Sequence, residues 1–194
     1  EENSGVATEY AESCIPFYVE PDTLVSKDMW FDSEPGLAFV VKGKDIYQNH
    51  DSDKLQYEAL AKKFGDIGFN RKAGIGRDGA ISVAIDSISV ISDADIDVSH
   101  PKGTELSDIV KLHSKNYYSY IKSGYKEEVA KTDIEHYKLI SEYTKEDLTL
   151  VYSKRGLEFH FDNTIAVKGT HNLTISIYFE NGKKLSTTQS ISFD

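Results

Sequence analysis

Cysteine is almost absent from this chain of 194 residues, which contains Cys14 and no other thiol. A single cysteine excludes an internal disulfide bond, and no Cys or His residues have the spacing of a zinc motif. Cys14 precedes the alternating residues Phe17 and Val19, so we expect a small buried side chain beside a first strand. A cysteine nucleophile stays open as the alternative, because its histidine partner would be close only in space.

Long apolar runs and basic clusters are also missing. No run of 18 apolar residues occurs, so no segment is predicted to span a membrane. Only 22 Lys and Arg residues stand against 32 Asp and Glu residues, which gives a formal net charge of −10. This balance disfavours nucleic acid and an anionic membrane surface as partners, because both need clustered cations.

Recognisable catalytic motifs are missing as well. The chain has no P-loop and no GxSxG turn, and Gly74, Gly76 and Gly79 match the dinucleotide pattern GxGxxG in spacing only. That pattern needs a strand before it and a helix after it, whereas the alternation from Ile81 to Ile85 predicts a strand. The sequence thus predicts neither a catalytic residue nor a cofactor, and it favours a protein without enzymatic activity.

The clearest pattern present is a β-hairpin near the C-terminus. Leu173, Ile175, Ile177 and Phe179 alternate strictly with polar residues, Asn181-Gly182 is a preferred type I′ turn, and alternation returns from Leu185 to Phe193. Twelve Tyr and nine Phe residues also favour pleated, half-buried surfaces. We predict a mainly β fold with an immunoglobulin-like β-sandwich core and two or three short helical insertions.

The remaining elements are predicted from periodicity and turn residues. Residues 1–13 are expected to be a flexible segment, and residues 14–194 a single domain with a helical insertion around 104–147. Residues 53–64 predict a helix that Asp53 caps and Gly65 ends. A shift of alternation predicts a bulge or a break near Asp86-Ser87, and residues 148–161 predict a second hairpin.

Three alternating carboxylates form the strongest candidate metal site. On a strand, Asp93, Asp95 and Asp97 would share one face, and His100 lies close enough in sequence to join them. Carboxylates suit Ca²⁺, which is the ion to test there, whereas His100 would favour a transition metal. The alternative is a solvated acidic face that protects an edge strand from aggregation. His160, between two phenylalanines, is expected to lie on the surface.

Aromatic residues supply the candidate ligand-binding surface. A tyrosine-rich segment and the single tryptophan could stack on sugars or peptides, because aromatic rings offer flat apolar faces with a polar handle. The alternative is that half of these rings pack in the core. The candidates are Trp30, Tyr117, Tyr118, Tyr120 and Tyr125.

Residues 81–110 carry a resemblance to a known group of proteins. Their alternating Ile/Val strand, Asp-x-Asp segment, His-Pro-x-Gly and Leu-x-Asp resemble a pattern in exported lipoprotein domains of unknown function from gut anaerobic bacteria. The closing hairpin looks similar at Phe161, Ile175, Ile177 and Asn181-Gly182. The resemblance implies a lipid-anchored protein of the outer membrane, cell surface or periplasm, whose anchoring cysteine would precede Glu1. It implies no activity.

Three functions follow as hypotheses. The first is a non-enzymatic binding or accessory module for a glycan or a surface protein, attached to the membrane only through the upstream lipid. The second is a metal-dependent enzyme that uses Asp93, Asp95 and Asp97. The third is an adhesin or fimbria-like subunit that pairs strands with a partner.

Overall fold

A computed structural model describes residues 8–30, 35–74, 77–161 and 168–194 of the chain. The described part is mainly β with three short helices, as predicted. The strands are β1 (Thr8–Ala11), β2 (Phe17–Val19), β3 (Thr23–Lys27), β4 (Gly36–Lys42), β5 (Asp45–Tyr47), β6 (Arg71–Gly74), β7 (Ala80–Ile81), β8 (Ile85–Ser92), β9 (Val110–Lys115), β10 (Glu135–Leu139), β11 (Leu157–Phe161), β12 (Gly169–Phe179) and β13 (Lys184–Phe193). The α-helices are α1 (Lys54–Phe64), α2 (Tyr118–Lys122) and α3 (Glu127–Thr132), with 3₁₀ turns at Asp51–Asp53 and Ile140–Glu142.

Two sheets form the sandwich. One has the order β10-β9-β11-β4-β3 and the other β13-β12-β8, and the inner faces of both contribute to one apolar cluster. Phe161 of the first sheet meets Phe193 of the second with ring centroids 5.7 Å apart. Because every second residue of each strand points inward, the same strands carry a second set of side chains on their outer faces.

The C-terminal hairpin is confirmed, although its turn is not of type I′, because Asn181 lacks the positive φ that this type requires at both central residues. β12 and β13 pair antiparallel from Gly169 opposite Phe193 to Tyr178 opposite Lys184, and Gly182 adopts a φ of 86° in the turn between them. The predicted bulge is confirmed too, because Tyr178 pairs with Ser87 while Phe179 pairs with Ile85. Asp86 is therefore the extra residue of β8.

A second apolar cluster lies around α1 and the small sheet β5-β2-β7. The buried carboxylate of Asp66 links the segment before β2 to the segment after α2. It accepts hydrogen bonds from the backbone of Cys14 (2.8 Å) and Ile15 (2.9 Å) and from the Tyr125 hydroxyl (2.9 Å). Cys14 is buried beside it, as predicted for a core side chain. Gly65 ends α1 with a φ of 77°, also as predicted, but Asp53 accepts a hydrogen bond from the Tyr47 backbone instead of capping the helix.

Two predictions about elements differ from the structure. Residues 104–147 are not simply a helical insertion, because Val110–Lys115 forms the second strand of the larger sheet and Glu135–Leu139 forms its edge. Residues 148–152 do not pair with β11, whose neighbours are β4 and β9. Both errors arise because strand neighbours in this sheet are distant in sequence, and local periodicity carries no information on such pairing.

The N-terminal segment is also more ordered than expected. Residues 1–7 lie outside the described residues, but Thr8–Ala11 pairs antiparallel with β6. The glycine-rich stretch from Gly65 to Gly79, which its composition predicts to be a loop, contains β6, and residues 75–76 within it lie outside the described ranges. In the described part of the chain, no helix has the length and apolar character needed to cross a membrane.

Candidate functional site

The outer face of the five-stranded sheet carries an unusual set of polar side chains. In β9 the buried apolar Val110 and Leu112 belong to the core between the sheets, so His113 points to the opposite face. In β11 the same alternation directs Leu157, Phe159 and Phe161 inward and directs Glu158 and His160 outward. Glu158 pairs directly with His113, and His113 pairs with Tyr137 of β10.

Three of these residues form a compact buried group. His113, Glu158 and His160 are 6%, 1% and 5% exposed, although they face away from the sandwich core. Glu158 Oε2 lies 3.2 Å from His113 Nδ1 and 3.9 Å from His160 Nε2. Burial of ionisable groups is costly unless they interact with one another, and these three do so across two strands.

Glu135 extends the group to the edge of the sheet. Its Oε1 lies 2.6 Å from Nε2 of His113, so this ring is held between two carboxylates. The hydrogen bond from His113 lowers the pKa of the Glu135 carboxyl, and the charges of Lys115 and Arg155 act in the same direction. Glu135 is 52% exposed and therefore reaches solvent.

Arg155 lies beside the same histidine. Its Nη2 atom is 3.5 Å from both ring nitrogens of His113 and 3.9 Å from Oε1 of Glu135. The turn that carries Arg155 is fixed by Asp78, whose carboxylate accepts hydrogen bonds from the backbone of Lys154 (2.8 Å) and Arg155 (2.7 Å). Gly156 follows with a φ of 71°, and a Cβ atom there would overlap the carbonyl oxygen of Phe39.

Trp30 lies at the outside of the group. Its backbone N–H donates a hydrogen bond of 2.6 Å to Glu158 Oε1, and the Arg155 guanidinium packs over its ring at 4.2 Å. The indole is nevertheless 62% exposed. Lys27 donates a hydrogen bond of 2.9 Å to the Arg155 carbonyl, and burial lowers the pKa of its ammonium group.

The aspartate triplet has a different structure from the one predicted. β8 ends at Ser92, so Asp93, Asp95 and Asp97 follow in a bend and not on a strand. Asp side chains bond backbone N–H groups in competition with strand pairing, and here the partners lie both within the bend and in β12. Asp95, for example, accepts a hydrogen bond of 2.7 Å from the backbone of Lys102.

Asp93 and Asp97 each bind a different partner from that of Asp95. Asp93 accepts hydrogen bonds from the backbone (2.9 Å) and side-chain (2.8 Å) nitrogens of Asn172, and these bonds lower its pKa. Asp97 lies 2.7 Å from His100 Nδ1, and Asp108 lies 2.8 Å from His100 Nε2. Both carboxylates raise the pKa of His100. Within the described ranges, the three aspartates and His100 do not converge into one group of metal ligands.

The aromatic candidates lie in two places. Tyr117 and Tyr125 are buried in the second cluster, where the Tyr117 hydroxyl donates to the carbonyl of Asp78 at 2.5 Å. Tyr118 and Tyr120 are half-buried, and Tyr120 packs edge-on against Tyr125 at 5.5 Å. Only Trp30 is well exposed, and it belongs to the outer face of the larger sheet. The structure thus gives no common platform of all five rings.

The main residues of the outer face were not predicted as a site. His160 was expected on the surface, and it does face away from the core, but it is buried. One signal was present in the sequence, because His113 alternates with apolar residues in one segment and Glu158 and His160 alternate with apolar residues in another. The pairing of the two segments could not be inferred from that alternation.

No family model, curated protein or solved structure matched this chain in comparisons with known proteins. The arrangement of side chains on the outer face is therefore the basis for a functional proposal.

Proposed function

We propose that this chain is a non-enzymatic binding domain of an exported protein, and that it recognises carbohydrate on the outer face of its five-stranded sheet. The observation that carries the proposal is the exposed indole of Trp30, supported from one side by Arg155 at 4.2 Å. A supported aromatic ring loses little conformational freedom on binding, and its flat apolar face suits the C–H face of a sugar ring.

Polar groups beside Trp30 suit the hydroxyl groups of such a ligand. Arg155 connects the indole to Glu135, which is 52% exposed, and Tyr137, which packs edge-on against His113 and His160, is 50% exposed. We call Trp30, Arg155, Glu135 and Tyr137 the outer-face strip. It offers two exposed aromatic rings and charged hydrogen-bonding groups on one face of the sheet, which is the combination that ligand sites use for orientation and specificity.

The test is a glycan array probed with the purified chain, followed by titration of each bound glycan. We expect Trp30→Ala and Tyr137→Ala each to weaken binding by roughly tenfold, the effect of losing one stacking contact. Tyr178→Ala is the matched control, because Tyr178 is an exposed aromatic residue of the other sheet. A chain that binds no glycan, or binds equally well without Trp30, contradicts the proposal.

Export to the cell surface or periplasm is the second part of the proposal. It is supported by the resemblance of residues 81–110 to exported lipoprotein domains. Cell fractionation of the complete gene product is the direct measurement, and we expect it in the membrane fraction through a lipid anchor. Recovery in the cytoplasm would contradict this part and leave carbohydrate binding to be judged separately.

A strand-pairing subunit is a second candidate, because β13 has only β12 as its sheet neighbour in the described part of the chain. A ten-residue edge strand can accept a strand from another chain. Light scattering over a range of concentrations tests this candidate, and a chain that stays monomeric throughout contradicts self-assembly. The enzyme that would use Asp93, Asp95 and Asp97 is not carried forward, because these carboxylates bond separate partners.

A further inference from the structure

We propose that His113, Glu158 and His160 form a binding site for one transition-metal dication of the zinc class. This inference goes beyond carbohydrate recognition and does not depend on it. Among the described residues, these three are the only group of His, Cys, Asp and Glu whose ligand atoms all lie within 4.8 Å of one another. Two imidazoles and one carboxylate are a ligand set that zinc accepts while keeping a further position open.

The distances already approach those of a bound ion. Metal–ligand bonds of about 2.0–2.1 Å in a tetrahedral site place neighbouring ligand atoms about 3.3 Å apart. Nδ1 of His113 and Oε2 of Glu158 are separated by 3.2 Å, so this pair needs no rearrangement. His160 Nε2 lies 3.9 Å from the same oxygen, and the ligand atoms of the two histidines lie within 4.8 Å of each other, so the His160 ring has to move toward the ion.

Glu135 supplies the outer contact that metal-binding histidines commonly make. If Nδ1 of His113 faces the ion, Nε2 carries the proton. The Nε2–H group then donates a hydrogen bond of 2.6 Å to Glu135 Oε1. Such a carboxylate fixes the tautomer and orientation of the ring and makes the imidazole a better ligand. Glu135 is thus a positioning residue that acts through His113.

The local charges limit the affinity without excluding the ion. Glu158 and Glu135 contribute two negative charges, while Arg155, Lys27 and Lys115 contribute three positive ones nearby. Repulsion between these cations and the ion predicts weaker binding than in a closed structural zinc site. The ligand set also predicts selectivity, because Ca²⁺ needs six to eight oxygen ligands and this group offers few.

Trp30 provides a built-in reporter of the ion. It is the single tryptophan of the chain, and its backbone N–H is bonded to the Glu158 carboxylate. A cation that draws Glu158 toward the two histidines changes this contact and the surroundings of the indole. Zinc binding should therefore change tryptophan fluorescence, and Ca²⁺ at the same concentration should not.

The experiment is a zinc titration of the chelator-treated chain, followed by calorimetry and tryptophan fluorescence with no sugar present. We expect one ion per chain, and loss of binding in His113→Ala and His160→Ala. Glu135→Gln should weaken binding by about 10- to 100-fold. His100→Ala is the matched control, since His100 is a histidine held between two carboxylates elsewhere in the fold, and it should bind zinc as the unmodified chain does.

A measurement on the unmodified chain covers the case in which a variant fails to fold. Zinc should shift the ring ¹⁵N resonances of two of the six histidines, and Glu135→Gln should change one of those two. Absence of zinc binding, zinc binding retained by both alanine variants, or loss of binding in His100→Ala would each overturn the proposal. Failure of the glycan array leaves this result unaffected, and failure of the zinc titration leaves the array unaffected.

Discussion

The backbone N–H of exposed Trp30 donates a 2.6 Å hydrogen bond to the carboxylate of Glu158, a side chain that is only 1% exposed. One carboxylate thereby links the surface indole to the buried histidine His113, which lies 3.2 Å from its other oxygen. Changes at Glu158 should consequently affect both the stability of the sheet and the position of the surface aromatic ring.

Replacement of Glu158 should destabilise the fold. Glu158→Ala leaves His113 and the Trp30 N–H without this partner, and breaking a buried ionic group costs about 3–5 kcal/mol. Urea unfolding in the presence of a chelator measures the change. Glu127→Ala, at an exposed position, should change the free energy of unfolding by less than about 0.5 kcal/mol. Equal effects of the two substitutions would contradict this expectation.

The stabilising effect of His100 should depend on pH. Asp97 and Asp108 raise its pKa above the ordinary value, so the folded state binds its proton more tightly than the unfolded state does. The contribution is complete below the unfolded pKa of about 6.5 and disappears as the pH rises through the folded pKa. The free energy of unfolding lost in His100→Gln should therefore be larger at about pH 5.5 than at about pH 9.

His136 should show the opposite dependence and serves as the control for His100. Burial lowers the pKa of His136, whose Nε2 lies 2.8 Å from Oδ1 of Asn116. Its neutral form is favoured in the folded state, so its contribution to stability weakens as the pH falls through about 6.5. Unfolding measured across this range should give slopes of opposite sign for His100→Gln and His136→Gln. Slopes of the same sign would contradict both assignments.

Cys14 should be inert in the folded chain. Its side chain is 1% exposed, and burial together with the neighbouring Asp66 carboxylate raises the pKa of its thiol. The thiolate is the reactive form, so a disulfide reagent should label the native chain far more slowly than the chain unfolded in urea. Rapid labelling without denaturant would contradict the core position and restore the nucleophile hypothesis.

The turn of the C-terminal hairpin should be sensitive to substitution of its glycine. Gly182 has a φ of 86°, which an L-residue adopts only with strain, so Gly182→Ala should destabilise the chain by about 1 kcal/mol or more. Gly68→Ala is the matched control, because a Cβ there makes only an ordinary contact of 3.8 Å with Tyr125. Urea unfolding of the two variants should give clearly different midpoints.

The sequence predicted those elements that are determined by residues close to one another in the chain. The hairpin between β12 and β13 was visible because strict alternation surrounds Asn181-Gly182, and the bulge was visible as a change of parity near Asp86. The bend at Asp93–Asp97 was missed because alternation of acidic and apolar residues resembles a strand. Hydrogen bonds from Asn172, 79 positions away, are what fix Asp93 in that bend.

The candidate site was not predictable for the same reason. His113 and Glu158 face one another only because β9 and β11 are neighbours, and 45 positions separate them in sequence. Trp30 was identified from its chemistry alone, and its role beside Arg155 depends on a contact that no spacing rule indicates. Residue type was therefore informative for the individual candidates, whereas tertiary pairing determined which of them act together.

The close approach of Gly156 to β4 sets a mechanical constraint on the outer face. Since any side chain at this position would displace the Phe39 carbonyl, the turn that carries Arg155 is held to the neighbouring strand by backbone contact. The backbone of Arg155 is thus fixed relative to the sheet, and from this position its guanidinium contacts Trp30, His113 and Glu135. Substitution of a polar residue on this face leaves that backbone contact in place, whereas a side chain at position 156 would push the turn away from β4.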